Sequence, residues 1–230
     1  MTGGTGALGR AVVLRLLSRG DRVAVPYRDA RGYEELRTRA GGNDALWGDA
    51  ADMAEAAAAS RFVEAAARHL GRIDGAALLA GAYAGSSNFE AAPESEWEEM
   101  LRANLHSVYA ACRALLPHLL ENGGSVVTVG SRYAASGGAG AAAYAVSKNA
   151  VAALTRTLAL ENASRGVRFN LIEPGTIDTA ANRRAMPKAD TSTWTPPEQI
   201  AGVVAFLLSP ESAPTNGAVI PVEGRAPVSK

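Results

Sequence analysis

Cysteine is nearly absent from this chain of 230 residues, and histidine is almost as rare. The single cysteine, Cys112, excludes an internal disulfide, and its place in an apolar helical stretch predicts a small buried side chain rather than a nucleophile. The three histidines, His69, His106 and His118, stand at no metal-ligand spacing. These absences argue against a zinc site, and we expect no bound metal.

Long apolar runs are absent as well. No stretch approaches the roughly eighteen apolar residues of a membrane-spanning helix, and the first twenty residues contain no leader-like apolar region. The 23 basic and 23 acidic residues cancel, and the basic residues form no stripe. A nucleic acid or an anionic membrane is therefore not an expected partner. We expect a cytoplasmic protein that acts on a small molecule.

What the chain does contain is a regular alternation of short β-branched runs and longer helical patterns. Strands are predicted at Arg22–Tyr27, Ala45–Gly48, Gly75–Leu79, Ser125–Gly130, Val167–Ile172 and Ala218–Val222. Helices are predicted at about 7–19, 30–40, 50–70, 94–121, 143–163 and 197–208. This alternation predicts a single Rossmann-like α/β domain over residues 1–230, with a doubly wound parallel sheet. Ligands of such sheets bind at the carboxyl ends of the strands.

One element of the predicted sheet is conspicuously short. The segment Thr2–Gly9 reads TGGTGALG, and its Gly4, Gly6 and Gly9 fit the G-x-G-x-x-G pattern of a dinucleotide-binding loop before a helix. Such a loop normally follows a central strand, yet only Met1 precedes it here. We therefore expect either a true start that lies upstream, as a misread valine start codon would produce, or a sheet that lacks its central strand.

The strongest functional pattern lies in the second half of the chain. Tyr144 and Lys148 are four residues apart, which is about 6 Å along a helix, so they share one helical face. Lysine occurs only three times, against twenty arginines, and arginine is no substitute for an ammonium beside a phenol. We expect Lys148 to lower the pKa of Tyr144 toward neutrality. Ser131 follows a predicted strand, where its hydroxyl can donate to a substrate oxygen, and Asn104 lies twenty-seven residues before it.

Asn104, Ser131, Tyr144 and Lys148 resemble the catalytic tetrad of the short-chain dehydrogenase/reductase family, at the spacing of its classical members, and the resemblance covers the whole chain. It implies an NAD(P)-dependent oxidoreductase that transfers a hydride between the cofactor and a carbonyl or alcohol substrate. In that family the tyrosine is the general acid or base, and the serine binds the reacting oxygen. The lysine binds the nicotinamide ribose, and the asparagine holds a water that relays protons to the lysine.

The same resemblance assigns the cofactor contacts. They are Gly3, Thr5, Gly6, Leu8, Arg28, Asp49, Ala50, Ala80, Gly81, Pro174, Gly175, Ile177 and Thr179, together with Tyr144 and Lys148. Arg28 suits the 2′-phosphate of NADP, whereas Asp29 keeps NAD open, and we favour NADP. Two departures from the family pattern are Ala7, which stands where a glycine is expected, and the pair Leu78-Leu79, which replaces two asparagines.

Two segments resemble dihydropteridine reductases, a divergent branch of the family. The first is Ala80–Gly85, where those enzymes place an aromatic side chain near the pterin, and the second is a predicted substrate lid over about 180–195. Ser131 departs from these reductases, which typically lack a serine there. A pterin or another C=N substrate is therefore one alternative to a carbonyl. A non-catalytic dinucleotide-binding protein is a second alternative, because fold alone does not fix function.

The two helices that contain Asn104 and Tyr144 also carry further apolar positions, of which we expect some to be exposed and others to face the sheet. They are Val108, Cys112, Leu154 and Leu158. In the family these helices pair with their copies across a two-fold axis. The resemblance therefore implies a homodimer or a homotetramer.

Overall fold

The computed structural model describes residues 1–85 and 87–224, so the last six residues of the predicted domain lie outside the described part. Within it the chain adopts a single-domain Rossmann-like α/β fold. Its strands are β1 (Val23–Tyr27), β2 (Leu46–Ala50), β3 (Gly75–Leu78), β4 (Gly124–Val129), β5 (Val167–Pro174) and β6 (Val219–Val222). Each of the six predicted strands is confirmed, with its ends shifted by at most two residues.

The helices lie between the strands in chain order. They are α1 (Ala7–Ser18), α2 (Ala30–Arg39), α3 (Ala56–Leu70), α4 (Glu94–Met100), α5 (Ser107–Asn122), α6 (Arg132–Ala135), α7 (Ala142–Asn162), α8 (Ala180–Ala185) and α9 (Pro197–Leu207). The helix predicted at 94–121 is interrupted by a π-helical segment, Leu101–His106, and α3 begins at Ala56 rather than near residue 50. The short α6 and α8 were not predicted, because four to six residues hold too little periodicity.

Several boundaries follow from local sequence. The Asp29 carboxylate caps α2 by accepting from the backbone N–H groups of Arg31 and Gly32 at 3.1 and 3.2 Å. Gly71 ends α3 with a φ of 87°, and Gly123 ends α5 with a φ of 72°. A side chain resists this positive φ, so glycine is the residue that lets each helix turn into the next strand.

All six strands named above pair in parallel, but their backbone hydrogen bonds divide them into two sets rather than one continuous sheet. β1 pairs with β2, and the other four strands follow the order β3-β4-β5-β6. Thr2 lies between the two sets of strands and forms an isolated parallel bridge with Leu78. Its N–H donates to the carbonyl oxygen of Ala77 at 3.0 Å, and its own carbonyl accepts from Leu79 at 3.4 Å. Thr2 thus fills only the last position of the predicted central strand, beside the carboxyl end of β3.

The remaining space between β1 and β3, called the strand slot below, is a cavity of about 90 Å³. Its lining is mainly apolar and includes Ala24, Phe62, Val63, Leu78 and Leu115. A second cavity of about 400 Å³ lies at the amino ends of the same strands, beside Arg22 and Asp74. Both cavities therefore concern the packing of the sheet, and neither is lined by the predicted tetrad.

Apolar side chains cover both faces of the sheet, as a doubly wound fold requires. The layer under α3, α5 and α7 includes Phe62, Leu119 and Phe169. The layer under α1, α2 and α9 includes Val12, Leu36 and Ile200. The two layers place α7 and the loops after β3 and β4 on a rigid support.

Of the four apolar positions named on α5 and α7, Leu154 and Leu158 are partly exposed. Val108 and Cys112 lie in the core, because their face of α5 packs toward the sheet. Burial raises the pKa of the Cys112 thiol to about 12, so this cysteine is the inert buried side chain that the sequence indicated. The large apolar side chains that α5 and α7 do expose include Tyr109, Val146 and Leu160.

Across residues 1–85 and 87–224, the helices are too short or too polar to cross a membrane. In the same part of the chain, histidine, cysteine and carboxylate side chains form no group of three that could hold a metal ion.

Candidate active site

The predicted tetrad comes together at the carboxyl edge of the sheet. Ser131 directly follows β4 and caps α6. Tyr144 and Lys148 lie one turn apart on α7, as their spacing predicted. Asn104 lies in the π-helical segment between α4 and α5, and such segments are frequent at functional sites.

The side chain of Asn104 is fully buried and joins two segments of the site. Its Oδ1 accepts from the N–H of Ala82 at 2.8 Å, and its Nδ2 donates to the Ala82 carbonyl at 3.1 Å and to Ser147 Oγ at 2.9 Å. Ser147 in turn donates to the carbonyl of Tyr144 at 2.8 Å. Both ends of the amide are thus engaged, and Asn104 fixes the loop after β3 against α7. The water relay through Asn104 stays a prediction.

Lys148 is buried, with 8% of its surface exposed, and its Nζ donates to the carbonyl oxygen of Val129 at 3.1 Å. Burial lowers the pKa of Lys148 from 10.5 to about 8, because the charged ammonium is poorly solvated. A Cβ at Gly81 would lie 3.1 Å from Lys148 Nζ and 2.6 Å from Asn104 Oδ1. Only glycine lets the backbone after β3 pass this close to both side chains.

The expected effect of Lys148 on Tyr144 is wrong for this structure. Burial raises the pKa of the half-buried Tyr144 from its ordinary value, the neighbouring Ser131 side chain lowers it, and Tyr83 adds to the rise. Desolvation explains the difference, since surroundings that disfavour the Lys148 ammonium also disfavour a phenolate. At neutral pH the Tyr144 phenol is therefore protonated and able to donate.

The glycine-rich loop packs its backbone against the end of β3. Gly3 has a φ of 68°, and a Cβ there would lie 2.7 Å from the backbone nitrogen of Ala80. A Cβ at Gly9 would collide with the carbonyl oxygen of Gly3. α1 begins directly after Gly6 without a side-chain cap and with no acidic residue in its first turn, which includes Leu8. The first N–H groups of α1 therefore lie at the carboxyl edge of the sheet without a side-chain acceptor from a cap. Such a helix start favours an anion such as a phosphate.

The ends of β1 and β2 carry the residues predicted to contact the adenosine part of a cofactor. Arg28 is exposed just after Tyr27, the last residue of β1. The carboxylate of Asp29 is engaged by two backbone N–H groups of α2. Asp49 and Ala50 end β2 and are exposed at the same edge. An exposed cation and a carboxylate that accepts two hydrogen bonds thus stand side by side.

The predicted nicotinamide contacts follow β5. Pro174 ends the strand, and the N–H of Gly175 donates to β6 at 3.0 Å. Ile177 pairs with Thr195, which ties the far end of the predicted lid back to this segment. Thr179 Oγ1 caps α8 by accepting from its first turn at 3.1 Å. This segment is therefore ordered by its backbone contacts with β6 and Thr195 and by the side-chain cap of Thr179.

Sequence reasoning missed two side chains of the site. Ser147 is fully buried between Asn104 and the carbonyl of Tyr144. The available signal was a serine on an apolar helix directly before Lys148. Tyr133, on the unpredicted α6, lies with its ring centroid 6.4 Å from that of Tyr83. No spacing in the sequence indicates this approach, because it joins two loops.

The buried Lys148 makes stability depend on pH. Between about pH 8 and the ordinary lysine pKa of about 10.4, only the unfolded chain holds a proton on this residue. The free energy of unfolding should therefore rise with pH across this window, by about 3 kcal/mol in full, and the burial penalty should be complete below pH 8. Urea unfolding at pH 7.5, 8.5 and 9.5 measures this rise. Lys148→Met should flatten it, and an equal slope in both proteins would contradict the assignment.

Comparison with known proteins identifies the family. Residues 4–224 match a family model described as Enoyl-(Acyl carrier protein) reductase. A D-threitol dehydrogenase of Mycolicibacterium smegmatis is 32% identical over 238 residues, which cover 97% of this chain and 90% of that protein. This chain therefore belongs to the short-chain dehydrogenase/reductase family, as the tetrad spacing predicted, and it is an oxidoreductase.

Solved structures of similar chains agree with the fold. A 3-ketoacyl-(acyl-carrier-protein) reductase from Brucella melitensis, complexed with NADH, superposes with a TM-score of 0.87 at 27% identity, over 97% of this chain and 95% of the other. An NADPH-bound short-chain oxidoreductase from Pseudomonas aeruginosa PAO1 gives a TM-score of 0.86 at 30% identity, over 96% and 93%. Both forms of nicotinamide cofactor thus occur among similar proteins.

Proposed function

We propose that this chain transfers a hydride between a nicotinamide cofactor and a carbonyl or alcohol substrate, with Tyr144 as the general acid or base. The observation that carries the proposal is the convergence of Tyr144, Ser131 and Lys148 at one edge of the sheet, with Gly81 and Asn104 packed against Lys148. A proton donor, a second hydroxyl and a buried cation at one edge of such a sheet suit carbonyl reduction.

The chain's own residues supply the proton transfer and the orientation. In the reducing direction, Tyr144 donates its phenol proton to the substrate oxygen, and Ser131 hydrogen-bonds the same oxygen as its negative charge develops. Asn104 and Ser147 position the tyrosine, since Ser147 bonds both to Asn104 and to the Tyr144 carbonyl. When bound, the nicotinamide cofactor supplies or accepts the hydride.

The residues at the carboxyl edge fit a nicotinamide cofactor. The close packing of Gly3 and Gly9 and the uncapped start of α1 form a backbone cradle suited to a pyrophosphate. Lys148, by family resemblance, would hold the nicotinamide ribose, and the segment from Pro174 to Thr179 would hold the nicotinamide. We propose NADP over NAD, because Arg28 is exposed while the Asp29 carboxylate is engaged by α2.

Replacing Arg28 with alanine tests this preference. Loss of one charge-assisted contact should weaken NADP binding by roughly 1.5–3 kcal/mol and leave NAD binding nearly unchanged. Fluorescence titration with NADPH and NADH measures both affinities. Arg39→Ala removes the same charge from the far, exposed end of α2 and serves as the control. Equal losses for the two cofactors in Arg28→Ala would remove the basis for choosing NADP.

Turnover separates the proposal from its alternatives, neither of which the comparisons favour. NADPH is titrated first, and its oxidation is then followed with a panel of ketones and with a quinonoid dihydropterin. Ketone reduction supports the proposal. Reduction of the pterin alone would favour the dihydropteridine-reductase alternative, whereas cofactor binding without oxidation by either class would favour a non-catalytic protein.

We also propose that the chain forms a homodimer or a homotetramer through α5 and α7. Tyr109, Val146 and Leu160 are exposed on these helices in the single chain. Large apolar side chains on a surface support its being covered by a second copy. Light scattering at micromolar concentration should give at least twice the monomer mass of 23.7 kDa. A monomer mass would contradict the proposal, and Leu160→Glu should lower the measured mass if this surface is the interface.

A further inference from the structure

Two tyrosines outside the tetrad form a row of rings that begins at Tyr144. Tyr83, in the loop after β3, lies edge-to-face on Tyr144, with ring centroids 4.9 Å apart and planes at 72°. Tyr133, on α6, lies 6.4 Å from Tyr83 with the planes at 59°. The segment after β3 thus contributes an aromatic ring next to Tyr144, and the segment after β4 contributes a second ring next to the first.

The exposure of these rings distinguishes them from core packing. Tyr83 is 59% exposed and Tyr133 is 43% exposed. An aromatic ring that serves the core is largely buried, because burial is the source of its stabilising effect. Two neighbouring exposed rings, one of them in contact with Tyr144, are instead a surface that a bound substrate can cover.

The rings are also held in place before any substrate binds. The loop that carries Tyr83 is fixed at Ala82, whose N–H and carbonyl both bond to the side chain of Asn104 at 2.8 and 3.1 Å. The hydroxyl of Tyr133 donates to the carbonyl oxygen of Ala139. This bond orients the Tyr133 ring and uses its O–H, so Tyr133 offers a ring rather than a hydrogen-bond donor. A preorganised surface loses little entropy on binding.

We infer that Tyr83 and Tyr133 select substrates in which the reacting carbonyl is attached to a flat aromatic ring. The inference rests on the proposed function, because it names the substrate class of the same site. Aromatic rings attract one another through stacked and edge-to-face contacts beyond the area they bury. A saturated ring or a linear acyl chain of equal size gains the burial but not these contacts.

Three ketones of equal carbon count test the inference: 1-phenylethanone, 1-cyclohexylethanone and octan-2-one. Their dissociation constants are measured by NMR on the enzyme loaded with oxidised NADP, where no hydride is available for reduction. We expect the phenyl ketone to bind at least about fivefold more tightly than the other two, which corresponds to one or two aromatic contacts. Reduction with NADPH is then measured for the same three ketones.

Variants separate the ring from its hydroxyl. Tyr83→Leu and Tyr133→Leu should each reduce the preference for the phenyl ketone, mainly by raising its KM relative to that of octan-2-one. Tyr83→Phe keeps the ring and removes the hydroxyl. It should retain the preference, because the preference depends on the ring and not on the hydroxyl. NADPH affinity should stay the same in all three variants.

The failures of the two proposals are distinguishable. Equal affinity for the three ketones in the unmodified enzyme, or an unchanged preference in both leucine variants, overturns the ring selection even if every ketone is reduced. Selective binding of the phenyl ketone without any NADPH oxidation supports ring selection and overturns the proposed function.

Discussion

Replacing Tyr144 with phenylalanine is expected to lower kcat by at least about 100-fold while cofactor affinity stays nearly unchanged. The substitution removes the proposed proton donor but almost no binding surface, and general acid catalysis typically contributes a factor of about 10² to 10⁴. Because burial raises the pKa of Tyr144, its phenol is protonated at neutral pH. In the proposed mechanism, reduction depends directly on this proton.

The matched control is Tyr109→Phe, which makes the same change on an exposed tyrosine of α5. It should leave kcat and KM unaltered. Steady-state kinetics with NADPH and a ketone, together with an NADPH titration, give both quantities. If Tyr144→Phe retains turnover within threefold of the unmodified enzyme, another group donates the proton and the mechanism proposed above is wrong.

Joining five to seven apolar residues ahead of Thr2 is expected to raise both the stability and the cofactor affinity of the chain. The added segment would run from the cavity at the amino ends of β1 and β3 through the strand slot, where it can pair with both strands and pack on apolar side chains such as Phe62, Val63 and Leu115. Five apolar side chains buried at about 1.5–3 kcal/mol each amount to roughly 7–15 kcal/mol, which is comparable to the stability of a domain. The expected rise in Tm is at least about 15 °C.

An extension of equal length built from glycine and serine provides the comparison, because it can occupy the slot without burying apolar surface. Thermal unfolding and NADPH titration are measured for the chain as it stands and for both extended forms. NADPH should bind more tightly only to the apolar extension, since a complete strand would support the glycine-rich loop at Gly3. Equal Tm values in the two extended forms would mean that the slot does not accept a strand.

The sequence by itself was sufficient for the order of the strands and of the long helices. Each β-branched run maps to an observed strand and each long amphipathic pattern to a helical region, because periodicity reports which face of a segment is buried. The spacing of Tyr144 and Lys148 placed both on one turn of α7, since four residues is a property of any helix. These predictions succeeded because they depend on interactions between residues that are close together in the sequence.

Contacts between segments were beyond the reach of the sequence. The π-helical segment around Asn104, its bonds to Ala82 and Ser147, and the approach of Tyr133 to Tyr83 all join residues that are distant along the chain. The direction of the Tyr144 pKa shift was also mispredicted from spacing, because spacing reports proximity to Lys148 but not the loss of solvent around both groups. Only the packed structure determines how much water each group loses, and that loss decides whether proximity to an opposite charge prevails.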